Sequence, residues 1–236
     1  MIENKNLTLA ALILAVGISS AGFFVNSGIK YFKSYDRSVA VKGLSEEIVK
    51  SDLATWNINF TVSGDNLKDL YDNVSENQSV IKEFLISRGF KNDEIQIGTL
   101  MTQDNWNNNY GNTSSNLPRF TITGSITLST PDVDLVYNSS QNSGELVNKG
   151  IIVTYSNINY FYTNLNTIKE KMLNEATQNA KRAAETFAQN TDSKISGIKH
   201  ASQGVFTITS PDSISGDTVT IDKKVRVVTS IDFFLR

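Results

Sequence analysis

Four side chains in this sequence could exchange protons with a substrate: the carboxylates of Glu46, Glu47 and Asp52, and the imidazole of His200, the one histidine of the chain. General acid–base work needs two such groups within hydrogen-bond reach of the same bond. The three carboxylates fall beside a turn and a strand start, where such groups are normally solvated. His200 sits in "GIKHASQG" with no evident partner. None of them belongs to a G-x-S-x-G elbow, a Walker A loop, a G-x-G-x-x-G turn or an H-E-x-x-H helix. The chain has no cysteine, so thiolate catalysis, disulfides, iron–sulfur clusters and cysteine zinc sites fall away together. A single histidine excludes a His-rich metal site. The expectation is a protein that is not an enzyme and carries no cofactor or metal.

Binding chemistry has one sequence candidate. "QDNWNNNYGNTSSNLP", Gln103 to Pro118, is asparagine-rich and carries Trp106 and Tyr110. Aromatics on a polar loop can anchor a partner or stack on a sugar. A long polar hairpin tip has the same composition and is the expectation; a neighbouring subunit is the first partner to consider for it. Nucleic acid is not expected. Twenty-two basic residues against 24 acidic ones give a net charge of −2, and no basic run goes beyond pairs such as Lys223-Lys224, so phosphate neutralisation has no footprint.

Two hundred and thirty-six residues, 39% hydrophobic and 19% charged, are enough for a real core and unlike a disordered chain. The first of them stand apart. Leu7 to Ile29 contains no charge. As a helix its 23 residues would span about 34 Å, against a hydrocarbon core of about 30 Å. Ser19-Ser20-Ala21 supplies the small residues a signal peptidase inspects. The apolar character nevertheless continues through Phe23-Phe24-Val25, and "MIENKN" is poorly basic. A retained transmembrane helix is therefore expected, with cleavage near Ala21 as the alternative. Ala11, Ala15 and Ser19 fall four apart, as do Gly17 and Ala21, a spacing that lets membrane helices approach closely and that is also simply common in such helices. Lys30, Lys33 and Arg37 follow the segment; by themselves they place that side in the cytoplasm.

From Val39 on, the patterning is that of a folded domain. In "LATWNINFTVS", Ala54, Trp56, Ile58, Phe60 and Val62 alternate with polar residues, which predicts a strand with one buried face. Leu67, Leu70, Val74, Ile81, Phe84 and Leu85 recur at helical spacing before Arg88-Gly89, a glycine stop. "EIQIGTL" and "RFTITGSITLS" predict strands, 131–149 a second helix, and "IIVTYSNINYFYT" a further strand. Leu165 to Gln189 predicts a long helix with an apolar stripe of Ile168, Met172, Ala176, Ala180, Ala183 and Phe187. "ISGIKHASQGVFTITS" and "TVTIDKKVRVVTSIDFFLR" close the chain as strands. An internal echo links "DLYDN…LISRGF" with "DLVYN…LVNKGI". The predicted class is α+β: two β-α-β units, a long Ala-rich helix and C-terminal strands, preceded by one N-terminal transmembrane helix. The divisions expected are an anchor or uncleaved signal at 1–30, a juxtamembrane linker at 31–38, and one α+β domain at 39–236.

"VAVKGLSEEIVKSDLATWNINFTVSG" resembles the opening of the SIMPL-domain family of bacterial envelope proteins. "FLISRGFKNDEIQIGTL", "EATQNAKRAAETFAQ" followed by "SKISGIKHASQG", and the terminal "VRVVTSIDFFL" agree with it in order. The apolar segment joined to "YFKSYDRSVAVKGLSEE" is similar to a membrane-anchored branch of that family. The long helix departs from the family pattern, with Asn179-Ala180 where Asp-Ala is frequent. The resemblance implies a single-pass protein of the inner membrane with its domain in the periplasm, or a soluble periplasmic one after cleavage. It also implies self-assembly into a ring- or cage-like homo-oligomer, a link to oxidative-stress defence, and no catalytic residues. Met1, Met101 and Met172 are the only sulfurs, so any protection would be indirect, through assembly or membrane organisation rather than peroxide chemistry. The alternative is an envelope module that recognises a glycan or partner protein through residues 103–118.

Overall fold

The computed structural model describes residues 14–28, 37–106, 118–212 and 214–236. In chain order the elements are helix α1 (14–28), strands β1 (Ser38–Lys50) and β2 (Leu53–Gly64), helix α2 (Leu67–Ser87), and the short strands β3 (Ile95–Ile97) and β4 (Met101–Asp104). Strand β5 (Phe120–Thr130), helices α3 (Val133–Ser140) and α4 (Gly144–Asn148), strand β6 (Val153–Phe161) and helix α5 (Asn166–Asn190) follow. Strands β7 (Ile195–Gln203), β8 (Thr207–Thr209) and β9 (Asp222–Leu235) complete the chain. They form two compact units. One comprises Glu47–Ile168 with Thr207–Val225; the other comprises Met1–Glu46, Lys169–Phe206 and Arg226–Arg236.

The first unit is built on an antiparallel sheet of order β3-β5-β2-β6, with β4 also paired to β5. β5 runs antiparallel to both β2 and β3, and β6 antiparallel to β2. β2 and β3 therefore point the same way with β5 between them, and β5 and β6 point the same way with β2 between them. The two expected β-α-β units are present, each split by a strand of the other, as in ferredoxin-like sheets. Ala54, Trp56, Ile58 and Phe60 are fully buried with Leu70, Val74, Ile81, Phe84 and Leu85 of α2, as the two periodicities require. Trp56 meets Phe84 edge-on at 6.5 Å and donates its indole N–H to Ser156 Oγ at 2.9 Å.

The sequence echo is a structural repeat. Gly89 and Gly150 both have positive φ, 103° and 82°, a region open to glycine. After each, the chain turns in the same way: Phe90 N–H returns to Leu85 O, and Ile151 N–H to Leu146 O. All four of those side chains are buried. This is the glycine stop in which an apolar residue past the helix packs back onto its last turn.

Three details differ from the sequence expectation. The helix expected over 131–149 is two helices, α3 and α4, interrupted at 141–143. There Asn142 and Ser143 N–H take carbonyls three residues back, and Asn142 Nδ2 donates to Asn138 O, so polar side chains compete with the helical ladder. The strand expected in "EIQIGTL" is shorter, β3 alone, and β4 begins beyond it at Met101. Gly98 crosses β5 so closely that a Cβ would lie 2.1 Å from Ser125 Oγ. In α5 the buried stripe is Met172, Ala176, Ala180, Ala184 and Ala188, while Phe187 is 61% exposed.

That last correction has its cause in the second unit. Its sheet has the order β1-β9-β7, and α5 lies against one face. A Cβ on Gly43 would stand 1.8 Å from Ala176 O and 2.5 Å from Ala180 N, so strand and helix touch through main chain. Only residues as small as alanine fit such an approach, and i, i+4 spacing keeps them in one ridge along the helix. Val41, Ile231 and Phe233 fill the remainder. Asn179 donates to Leu44 O at 2.7 Å. An aspartate, which when ionised only accepts, could not make that bond.

Candidate functional site

The sequence-selected residues are not gathered in one place. Trp106 follows the end of β4 and is 62% exposed. Its N–H donates to Asp104 Oδ1 at 3.0 Å. The Arg119 guanidinium lies 5.5 Å from its ring centroid and 4.7 Å from that of Phe120, and is paired with Asp104 at 3.2 Å. The indole is thus backed by a cation that is itself fixed by a carboxylate, a prepared platform. Arg119 was not selected from the sequence; its signal was a lone cation at the far foot of an aromatic loop. Tyr110 lies outside the described residues.

Of the small residues in the N-terminal segment, Ala15, Gly17, Ser19 and Ala21 lie on α1 and are exposed, and Ala11 falls outside the described residues. Every residue of 14–28 is exposed, with Leu14, Val16, Ile18, Phe23, Phe24 and Val25 each 61–73% accessible. Among the described residues no helix is long and apolar enough to cross a membrane.

The carboxylates have structural partners. Glu46 pairs with Arg226 at 3.5 Å. Asp52 accepts from Thr163 N–H and hydroxyl and from Asn164 N–H, all within 2.9 Å, so it clamps the turn after β6. Partial burial opposes its ionisation, but these hydrogen bonds outweigh it and hold the carboxyl below its ordinary range. His200 is opposite Asp232 in the β7–β9 pairing, on a strand exposed from Ser196 to Gln203. Among the described residues no three His, Cys, Asp or Glu side chains are placed to hold a metal ion.

One concavity in the first unit was not foreseeable from motifs. It is a cleft of about 710 Å³ between α3, β6 and the segment leading into β9. Tyr137 and Gln141 form one wall, Ile158 and Tyr160 the floor, and Val219 and Ile221 the other wall. The second wall is pinned. The buried Lys223 donates to Asp217 O at 2.7 Å, Tyr160 N–H to Thr218 O at 2.7 Å, and Ser51 to Ile221 O through both N–H and hydroxyl. Burial pushes the Tyr160 hydroxyl up, helped by Tyr137 and Asp134 nearby. Asp212, at the rim, is held well below the carboxylate range by Ser215 hydroxyl and N–H and by Ile214 N–H. The two lining serines already have structural bonds: Ser156 Oγ accepts from Trp56, and Ser140 donates to Tyr137 O. Such a lining can hold a small ligand with an apolar body. It sets no activated nucleophile beside a base.

Comparison with known proteins adds a family. The family model described as SIMPL, a protein of unknown function (DUF541), matches residues 39–229. No curated protein matches the chain. Among solved structures, a protein described as a hydrolase from Listeria innocua is 8% identical, with 81% of this chain and 92% of that one covered at a TM-score of 0.21. An uncharacterized conserved protein from the same organism is 9% identical, with 81% and 92% covered at a TM-score of 0.20.

Proposed function

As the chain belongs to the SIMPL family of proteins of unknown function, its own surfaces must supply a reading, and we propose a membrane-tethered, non-catalytic envelope protein that self-associates. The observation that carries the tether is α1, fifteen uncharged residues with every side chain exposed. Large apolar surface left open in this way marks a contact with lipid or another chain. The 23-residue uncharged segment that contains α1 has the length a bilayer requires. The domain would then face the periplasm, with an indirect part in envelope integrity or stress defence. Self-association is supported by the second unit. The even-numbered face of β1 there carries Leu44, 40% exposed, and β7 is the exposed end of its sheet. Lys199 and two register irregularities in β7 disfavour simple edge-to-edge addition, which leaves the face as the contact.

The test is fractionation of the full chain beside a version without residues 1–29. The full chain should sediment with membranes, resist alkaline carbonate and run as a high-order species in detergent at all concentrations. Release by carbonate would remove the tether, and a monomeric peak across a wide concentration range would remove self-association. A second reading rests on Trp106 and its Arg119 backing: an envelope module that takes a glycan or partner protein at 103–118. Trp106→Ala would then abolish binding and leave oligomer size unchanged.

A further inference from the structure

The outer face of the β3-β5-β2-β6 sheet, turned away from α2, is built from hydroxyl and amide side chains alone over most of its area. β2 contributes Thr55, Asn57, Asn59, Thr61 and Ser63. In register opposite them stand Ser129, Thr127, Ser125, Thr123 and Thr121 of β5. β6 adds Asn159, Asn157 and Tyr155 beside Thr55, Asn57 and Asn59, and Gln96 and Gln103 border the other side. No Asp, Glu, Lys or Arg occurs in these rows, in a chain that is 19% charged.

The rows are organised. Asn57 Nδ2 donates to Thr127 Oγ1 at 3.1 Å, Ser63 and Thr121 share a bond at 3.2 Å, and Asn105 Nδ2 ties the foot of the 103–118 loop to Thr121 Oγ1 at 3.0 Å. At the centre, Asn59 Oδ1 is buried without a hydrogen-bond partner, and the neighbouring Tyr155 ring is 55% exposed.

We propose that this face binds an extended neutral glycan strand. A charged partner would lose water there without meeting a counter-charge, and nucleic acid would find no cation. A protein partner would ordinarily be met by a core of aromatic, methionine and arginine anchors, of which this face offers Tyr155 and the marginal Met101. A polyol can exchange its water hydrogen bonds for those of the rows one for one, with Tyr155 available to lie under a sugar ring. The proposal goes beyond the loop reading and stands or falls separately from it.

The experiment titrates the full chain in detergent with neutral cello-, malto- and xylo-oligosaccharides and with a polygalacturonate oligomer, for wild type, Thr55→Lys, Thr123→Lys and Trp106→Ala. All variants change exposed or half-exposed side chains, and thermal melts check that each is folded. The expected result is binding of at least one neutral series, weakened at least tenfold by either lysine, with little binding of the charged oligomer. Several results overturn the proposal: no neutral series binding at millimolar concentration, lysine variants binding as wild type does, or equal binding of polygalacturonate. Loss in Trp106→Ala with retention in both lysine variants overturns it too and assigns the glycan to the loop. A change of oligomer size in the lysine variants without glycan binding means that the face meets a second copy instead.

Discussion

Gly43→Ala asks whether α5 rests on β1 through main chain. The added Cβ would stand 1.8 Å from Ala176 O, whereas ordinary van der Waals contact begins at 3.4 Å. The gap must therefore open by about 1.6 Å, and the obstacle is a helix backbone, which cannot rotate aside. Overpacking a core typically costs about 1–3 kcal/mol. Lifting the helix by more than 1 Å also forfeits about half of the dispersion contact along its buried ridge. That ridge comprises five residues at 0–2% exposure, so we expect about 3 kcal/mol, or about 6–12 °C in Tm for a chain of this size. Urea unfolding followed by circular dichroism measures it. Gly144→Ala is the control, since its Cβ would meet nothing within 4 Å, and helix propensity makes that change neutral or stabilising by up to about 1 kcal/mol. A Gly43→Ala midpoint within 0.5 M urea of wild type, about 1 kcal/mol or less, would refute the contact. Rescue by Ala176→Gly would refute it as well, because the clash is with a carbonyl that the second change leaves in place.

Asp52→Asn should remove about 1 kcal/mol at neutral pH. Because the folded Asp52 titrates below its ordinary value, its contribution is complete above the unfolded carboxylate range and is lost as pH falls through the folded value. Urea midpoints between pH 3 and 7 should thus fall more steeply in wild type than in the variant; equal slopes would exclude the clamp. Ser156→Ala leaves the buried Trp56 indole N–H without its acceptor and should cost about 1–3 kcal/mol, read from the same melts; an unchanged midpoint would mean that the bond is not made. Trp106→Phe should leave blue, quencher-resistant fluorescence, since of the two tryptophans Trp56 is fully buried and Trp106 is 62% exposed. Arg119→Ala should increase the accessibility of Trp106 to acrylamide, and unchanged quenching would show that the guanidinium does not back the ring.

Periodicity made the sheet unit legible. The alternation in β2 and the 3.6-residue spacing of α2 named nine buried residues between them, because each element buries one face. The glycine echo marked the repeat because both glycines sit at positive φ. What the sequence could not convey was distance between elements. Phe187 entered the expected stripe on hydrophobicity, but the approach at Gly43 reserves that contact for alanines. Nor could the cleft be read, since α3, β6 and the segment leading into β9 meet there only through folding, and nothing in the pair Lys223-Lys224 marked Lys223 as buried. The N-terminal segment was legible by composition alone, and Ala11 and Tyr110 lie outside the described residues.

The clamp at Asp52 also bears on the order in which the chain can fold. The second unit is assembled from three separated stretches, and its central strand, β9, follows every other described element. Bringing β1 to α5 and β9 directly would mean closing loops of more than a hundred residues, an entropy that contacts must repay late. The first unit removes most of that cost once formed. Asp52 ties the end of β1 to Thr163 and Asn164 just ahead of α5, and Ser51 ties it to Ile221 just ahead of β9. The loops left for the second unit to close are thereby short, so a nascent chain can complete the first unit before it and leave β9 as the closing step.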